Sequence, residues 1–183
     1  MSKMIKIIFF LFQISSFIIG IEPDERGYIV KVGDNAPDFT LQLIDGRTMV
    51  KTDLKGKVAV LQFTASWCSV CRKEMPHLEN EVWQRFKSQD FMLIGVDRDE
   101  PLDVVLKFKD EMKITYPMAL DPGANIFGLF ADKEAGVTRN VIIDQKGKIV
   151  FLTRLFNEEE FKEMIINIEE LLSGSIQNNI HEQ

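Results

Sequence analysis

A strand and a cysteine pair decide the fold, within Val58-Ala59-Val60-Leu61-Gln62-Phe63-Thr64-Ala65-Ser66-Trp67-Cys68-Ser69-Val70-Cys71. The nearly uninterrupted apolar run from Val58 to Phe63 predicts a buried β-strand. Cys68 and Cys71, the only two cysteines of the chain, are predicted to lie on the first turn of the following helix. A helix N-terminus carries partial positive charge and unpaired N–H groups, so it favours a thiolate and lowers the pKa of that thiol.

Two thiols at this spacing, after a strand in an α/β pattern, predict reversible dithiol chemistry. Cys68 can attack the disulfide of a partner, and Cys71 can then resolve the mixed disulfide. A purely structural bridge is the weaker interpretation, because closing so short a loop removes little conformational entropy from the unfolded chain. We expect the redox-active disulfide to act without a cofactor, and we expect no bound metal.

The whole chain has the composition of an ordinary globular domain. Its 183 residues carry a formal net charge of -6, and this mild acidity argues against nucleic acid as a partner. The length suits one domain with a full core. We predict a signal peptide or membrane anchor at residues 1–20, a linker at 21–32, one domain at 33–172 and a fraying polar tail at 173–183.

The amino-terminal segment predicts export. Lys3 and Lys6 precede a stretch that is apolar almost without interruption to Ile19, which fits a secretory signal. As a helix this stretch would span only about 22 Å, short of the roughly 30 Å hydrocarbon core. Ile18 stands where a cleavage site usually has a small residue, so an uncleaved anchor stays open. The expected location is the periplasm or cell envelope, an oxidising compartment, with membrane contact through this segment alone.

The remaining elements follow from apolar periodicity. A hairpin is predicted around Asp45-Gly46, a second buried strand at residues 91–96 and a helix at residues 102–112. A terminal hairpin and an amphipathic helix at residues 158–172 close the chain. The order βαβα followed by ββα predicts an α/β fold with a central mixed sheet flanked by helices.

Four stretches carry a family resemblance: Gly33-Asp34-Asn35-Ala36-Pro37-Asp38-Phe39, Lys55-Gly56-Lys57, Ala65-Ser66-Trp67-Cys68-Ser69-Val70-Cys71-Arg72-Lys73-Glu74-Met75-Pro76, and Ile143-Asp144-Gln145-Lys146-Gly147-Lys148. They resemble the thioredoxin-like superfamily, and in particular its TlpA/ResA-like thiol-disulfide oxidoreductases, which are related to the AhpC/TSA redoxins. The resemblance implies a thioredoxin-like fold with an N-terminal β-hairpin and a central insertion between residues 100 and 131.

The resemblance also implies an activity and its site residues. Cys68 would be the attacking thiolate and Cys71 the resolving thiol, with Trp67 packed beside the disulfide and Pro76 kinking the helix. The substrates would be protein thiols and disulfides, and a reductive role is favoured, with a membrane electron donor or acceptor. The Ser69-Val70 dipeptide matches none of the familiar pairs, so the direction of electron flow stays open.

Two departures from the family pattern concern the site. Thr138 stands where these proteins usually have a cis-proline that faces the cysteines. A cis bond before a non-proline residue costs about 2.5–4 kcal/mol, so we predict a trans Val137–Thr138 peptide. The Thr138 hydroxyl or the Arg139 guanidinium would then point at Cys68, unless Arg139 points into solvent. Gln62 occupies the strand position of a buried carboxylate and cannot shuttle a proton.

Several charged residues are candidates for supporting roles. Glu100, after the second strand, lies near the position where ResA-like proteins place an acidic residue facing the cysteines, although a solvated loop glutamate is the alternative. Arg72 and Lys73 would assist the thiolate electrostatically or lie exposed in the first helical turn. His77 would titrate near its usual pKa of about 6.5 or serve only as a surface residue.

Two other functions remain as alternatives. Ala36-Pro37-Asp38-Phe39 also opens the AhpC/TSA peroxidases, but Leu61 and Ala65 occupy the positions of their proline and threonine. Thr64 and Arg139 are each displaced by one residue from the expected catalytic positions. A non-enzymatic metal carrier would have only the two cysteines, His77 and His181 as ligands, whereas structural zinc usually takes four.

Overall fold

The apolar run from Val58 forms the central strand of a seven-stranded sheet in the computed structural model, which describes residues 22–181. All seven residues of this strand, β3, are buried. The strands are β1 (Thr40–Leu43), β2 (Thr48–Val50), β3 (Val58–Thr64), β4 (Phe91–Arg98), β5 (Met118–Asp121), β6 (Arg139–Ile143) and β7 (Ile149–Arg154). The predicted N-terminal hairpin is formed by β1 and β2.

The sheet is mixed, as predicted, and its strand order is β2-β1-β5-β4-β3-β6-β7. Strand β4 runs parallel to both β3 and β5, whereas β6 runs antiparallel to β3 and β7. The register pairs Gln62 of β3 with Gly95 on one side and with Asn140 on the other. The carboxyl ends of β3 and β4 therefore meet the amino end of β6 at one edge of the sheet, where the cysteine helix begins.

Among residues 22–181, four α-helices accompany the sheet: α1 (Ser69–His77), α2 (Gln84–Phe86), α3 (Leu102–Met112) and α4 (Glu158–His181). Helix α1 contains Pro76 and continues directly into a π-helical segment, Leu78–Trp83, before α2. Proline has no backbone N–H and cannot donate within a helix, so a change of helical register next to Pro76 is expected. The break predicted at Pro76 is thus present as a π-helical segment.

Both faces of the sheet are buried. Side chains alternate along a strand, so Val58 and Val60 belong to one apolar core while Leu61 and Phe63 belong to the other. The core on the Leu61 face contains both cysteines, and the core on the Val60 face contains Met75 of α1 and the buried residues of α3 and α4. This two-sided burial explains why the sequence of β3 is apolar without alternation.

Residues 22–31 are part of the domain, whereas we expected a linker at residues 21–32. Tyr28 is buried and forms a β-bridge with Ala131. Its hydroxyl donates a hydrogen bond to the Thr153 carbonyl oxygen at 2.5 Å. Burial of an aromatic ring offsets the entropy of ordering this short polar segment.

Other boundaries also differ from prediction. Helix α4 continues through the expected polar tail to His181. Strand β4 ends at Arg98, two residues beyond the predicted end at residue 96, and its Asp97 is completely buried. Within the predicted insertion, β5 is followed by the short 3-10 helices Pro122–Ala124 and Phe127–Leu129. The predicted signal or anchor at residues 1–20 lies outside the described residues, and within 22–181 no helix combines the length and apolarity needed to span a bilayer.

Candidate active site

The two cysteines form a disulfide at the junction of β3 and α1. Cys68 is the N-cap residue of α1, and its sulfur accepts a hydrogen bond from the Cys71 backbone N–H at 3.1 Å. Cys68 keeps 8% of its surface exposed and Cys71 keeps 0%. Cys68 is therefore the more exposed cysteine, because the first residue of the helix faces out and a residue one turn later packs under the strand ends.

Trp67 directly precedes Cys68 in the chain. We expected its ring to pack beside the sulfurs, in a role compatible with a core aromatic. In the structure 65% of Trp67 is exposed, so it is not a core residue. A large exposed aromatic side chain beside a reactive sulfur offers apolar contact surface to a docking protein.

Thr138 faces both sulfurs. Its hydroxyl oxygen lies 3.1 Å from the Cys68 sulfur and 3.3 Å from the Cys71 sulfur. The residue is buried, and no peptide bond between described residues is cis, which confirms the trans Val137–Thr138 bond. The structure therefore brings the residue at the expected proline position into direct contact with the redox centre.

Arg139 does not reach the cysteines, nor does it point into solvent. It is completely buried, and its guanidinium lies over the Tyr28 ring, 4.5 Å from the ring centroid. Burial lowers the pKa of Arg139 from its ordinary value. Both sequence-based expectations for this residue are wrong, because the adjacent residues Thr138 and Arg139 point to different sides of the chain as it enters β6.

A buried carboxyl group that we did not predict lies one turn beyond the second cysteine. Glu74 is on the same helical face as Cys71, at the i, i+3 spacing, and only 1% of it is exposed. The Asn140 side-chain amide donates to Glu74 at 2.7 Å and the Gln62 amide donates at 3.4 Å. Burial raises the pKa of Glu74 to about 7, although the two hydrogen bonds oppose that shift.

Glu74 belongs to a polar network that crosses the centre of the sheet. Gln62, which cannot titrate, also accepts a hydrogen bond from the Tyr116 hydroxyl at 2.8 Å. Burial raises the pKa of Tyr116 well above its ordinary value, so this hydroxyl stays protonated. The apolar strand lacks an acid of its own, and α1 supplies one instead; an i, i+3 spacing from Cys71 was the sequence signal for it.

Glu100 contacts the cysteine loop and makes no hydrogen bond to the sulfurs. Its carboxylate accepts hydrogen bonds of 2.5 Å from the backbone N–H and from the hydroxyl of Ser66, two residues before Cys68. Asp97, near the end of β4, is fully buried. Its burial and the nearby charge of Glu100 raise the pKa of Asp97 to about 8. Glu100 therefore holds the loop before Cys68. We expected it to face the cysteines, and it makes no direct contact with their sulfurs among the hydrogen bonds of the described residues.

The basic residues of α1 are engaged elsewhere or exposed. Arg72 donates to the Ser66 carbonyl oxygen at 2.6 Å and pairs with Glu111 of α3 at 3.1 Å. Lys73 is exposed. His77 is also exposed and its ring nitrogen lies 2.6 Å from a Glu81 oxygen. None of these side chains makes a hydrogen bond to either sulfur within the described residues.

The geometry does not reproduce a peroxidase site. Leu61 and Ala65 are buried, and the Thr64 hydroxyl donates to the Met75 sulfur at 3.6 Å instead of facing Cys68. Residues 22–181 contain no grouping of three or more histidine, cysteine, aspartate or glutamate side chains suited to a metal ion. The expected lack of a cofactor stays a prediction.

Comparison with known sequences identifies the family of the chain. The sequence pattern of the AhpC/TSA family matches residues 32–152. The thiol-disulfide oxidoreductase ResA of Bacillus cereus is 32% identical over 121 residues, which cover 66% of this chain and 68% of that protein. ResA of Geobacillus thermodenitrificans is 31% identical over 140 residues, covering 76% of this chain and 79% of its own.

Solved structures agree with the fold. The solution structure of a candidate protein disulfide isomerase from Bacteroides thetaiotaomicron is 55% identical, with a TM-score of 0.79 over 84% of this chain and 97% of that one. A candidate thiol:disulfide interchange protein DsbE from Chlorobium tepidum is 27% identical, with a TM-score of 0.68 over 78% of this chain and 99% of that one. The predicted thioredoxin-like fold is confirmed.

Proposed function

The chain belongs to the AhpC/TSA family and, within it, to the ResA-like thiol-disulfide oxidoreductases, and on that premise we propose that it is an exported reductant of protein disulfides. One observation carries the proposal: Cys68 is the one cysteine of the pair with exposed surface, and it lies at a helix N-terminus directly after the exposed Trp67. A partner protein can reach Cys68, whereas Cys71 is accessible only to a group already bonded to Cys68.

The reaction follows from this asymmetry. The Cys68 thiolate attacks one sulfur of a substrate disulfide, and the other substrate sulfur leaves as a thiolate that takes up a proton from solvent. The Cys71 thiol then loses its proton and attacks the Cys68 sulfur, which releases the second substrate thiolate. The substrate gains two electrons and the protein ends with the Cys68–Cys71 disulfide seen in the structure.

Glu74 is the proposed acceptor of the Cys71 proton. It lies one helical turn from Cys71, and its raised pKa of about 7 suits a group that exchanges protons near neutral pH. Gln62, at the strand position where the family resemblance suggests an acid, cannot do this. The hydrogen bonds from Asn140 and Gln62 hold the carboxylate in place once it has been deprotonated again.

Local charge supports the reductive direction. Thiolate forms of a dithiol are stabilised by nearby positive charge and destabilised by nearby negative charge. Arg72 is paired with Glu111, while the carboxylate of Glu100 binds Ser66 in the loop before Cys68. Acidic surroundings favour the disulfide over the dithiolate, which corresponds to a low reduction potential and a tendency to give electrons away.

Export and electron supply complete the proposal. The basic and then apolar residues 1–20 support delivery to the periplasm or cell envelope, as a cleaved signal or as an anchor. A reductant in an oxidising compartment loses its dithiol at every turnover. We therefore propose a membrane dithiol donor as its redox partner and oxidised cysteine pairs of envelope proteins as its substrates.

The reduction potential of the Cys68–Cys71 couple tests the direction. The protein is equilibrated with dithiol buffers, its free thiols are alkylated, and the reduced fraction is measured by mass spectrometry. We expect a reduction potential near that of thioredoxin, about -270 mV, whereas a value near that of DsbA, about -120 mV, would make the protein an oxidant. Cys71→Ser should accumulate mixed disulfides through Cys68, and Cys68→Ser should accumulate none. Hydrogen peroxide turnover well above that of a free thiol would instead support the peroxidase alternative.

Cell fractionation tests the location. A full-length chain should be found in the envelope fraction, and a chain without residues 1–20 should stay in the cytoplasm. A thiol-reactive probe that cannot cross the membrane should label Cys68 only in the full-length protein. Cytoplasmic recovery of the full-length protein would contradict the export proposal without affecting the dithiol chemistry.

A further inference from the structure

Thr138 is the one described side chain that makes hydrogen-bond contacts with the sulfurs of the redox centre. Its hydroxyl lies within 3.3 Å of both Cys68 and Cys71. The Thr138 carbonyl oxygen accepts a hydrogen bond from the Leu155 N–H at 3.1 Å, which fixes the backbone of this loop. The residue is 2% exposed, so water does not compete for the hydroxyl. A proline at this position would have no hydroxyl to offer.

A hydroxyl between two sulfurs has one proton to donate and two lone pairs to accept with. In the disulfide neither sulfur carries a proton, so only the hydroxyl can donate. In the reduced protein the sulfurs differ, because Cys68 already receives the Cys71 backbone N–H at the helix N-terminus, whereas Cys71 is fully buried. Charge is therefore favoured on Cys68, and the proton is favoured on Cys71.

We propose that Thr138 is a catalytic residue, whose hydroxyl donates to the Cys68 thiolate and accepts from the Cys71 thiol in the reduced protein. This inference rests on the dithiol exchange proposed above and names a side chain that stabilises the attacking thiolate. The helix N-terminus already favours negative charge on Cys68, and a hydroxyl that donates to this thiolate reinforces that charge while its lone pairs can accept from the Cys71 thiol. The same oxygen remains beside the Cys71 thiol after Cys68 has bonded to a substrate.

The charged groups around the dithiol do not supply this contact. Four of them come from β6, from α1 and from the loop after β4, namely Arg139, Arg72, Glu74 and Glu100. Arg139 lies over an aromatic ring, Arg72 and Glu100 bind the Ser66 region, and Glu74 is held by two side-chain amides. None of the four makes a hydrogen bond to a sulfur, so among the described residues Thr138 supplies the side-chain hydrogen bonds to the dithiol.

Titration of the Cys68 thiolate tests the inference. In a Cys71→Ser background, ultraviolet absorbance of the thiolate follows Cys68 alone. A hydrogen bond to a charged group corresponds to a shift of about 1–2 pKa units, so Thr138→Val, which keeps the shape and removes the hydroxyl, should raise the pKa of Cys68 by about that amount. Thr138→Ser should keep it near the wild-type value.

Two further comparisons make the result decisive. Thr138→Ser and Thr138→Ala differ from each other only by the hydroxyl, so they replace the valine variant if that variant does not fold. Thr153→Val removes a buried hydroxyl that bonds Asn140 and touches neither sulfur, and it should leave the pKa of Cys68 unchanged. The same variants with both cysteines present should show a matching loss of alkylation rate at Cys68, about tenfold or more below its pKa.

An unchanged pKa of Cys68 in Thr138→Val, or equal shifts in the serine and alanine variants, would overturn the inference. The titration is independent of the proposed function, because it needs no substrate and no redox partner. If wild-type protein fails to reduce disulfides while the valine shift is observed, the proposed direction fails and the role of Thr138 stands. If turnover is normal and the shift is absent, only the role of Thr138 fails.

Discussion

Replacing Glu74 by glutamine should flatten the pH dependence of stability of the oxidised protein. The Glu74 carboxyl group is buried, and its pKa is raised from 4.5 to about 7. Between these two values the unfolded chain releases a proton that the folded protein retains, so the free energy of unfolding falls as the pH rises. Below the lower value both states are protonated, and above the upper value both are ionised, so the dependence levels off.

The size of the effect follows from the two pKa values. From about pH 5 to about pH 8, a carboxyl group with these values removes about 2.5 kcal/mol from the free energy of unfolding. Asp97 contributes in the same direction, because its pKa is raised to about 8. The wild-type protein should therefore lose at least this much stability over that range, and Glu74→Gln should lose about 2.5 kcal/mol less than wild type.

Urea unfolding at a series of pH values measures this directly. The disulfide stays intact in the oxidised protein, so cysteine titration does not contribute. Glu170→Gln, which removes an exposed carboxyl group from α4, is the matched control and should follow the wild-type curve. Identical pH slopes for wild type and Glu74→Gln, with unchanged dependence on urea, would refute the conclusion that Glu74 holds its proton in the folded state.

Three further predictions concern contacts that hold the fold and the site. Tyr28→Phe should lower the free energy of unfolding by about 1–3 kcal/mol in urea melts, because the buried Thr153 carbonyl oxygen loses its 2.5 Å hydrogen bond. An unchanged midpoint would mean that residues 22–31 act only as a linker. Glu100→Gln should speed hydrogen exchange at the Ser66 amide by about tenfold, since a charge-assisted hydrogen bond becomes a neutral one. Equal protection factors by NMR would contradict the conclusion that Glu100 holds the cysteine loop. Phe63→Ala should lower the free energy of unfolding by about 3–5 kcal/mol, because removal of a fully buried ring leaves a cavity on the cysteine side of the sheet. A loss below 1 kcal/mol in thermal or urea unfolding would mean that this core repacks.

Much of the fold could be predicted from patterns of residues that lie close together in the sequence. Strand β3 is apolar except at Gln62 and Thr64, because both of its faces are covered. Cys68 begins the next helix, so helix geometry makes it the more exposed of the two cysteines. Helix α3 was predicted with the bounds Leu102 and Met112 that the structure has, since its apolar spacing is regular. The trans peptide before Thr138 followed from the energy of a single bond.

The sequence by itself determined the strand, the cysteine pair, the helix that follows and the chemistry that these make available, because each depends on residues close together along the chain. Tertiary structure decided which groups surround the sulfurs. Glu74 meets Asn140 across 66 positions, and Arg139 turns to Tyr28 instead of Cys68. Both outcomes depend on the register of β6 against β3, in which Asn140 pairs with Gln62. A shift of one residue would exchange every side chain on β6 between the two faces, and the strand sequence alone does not fix that register.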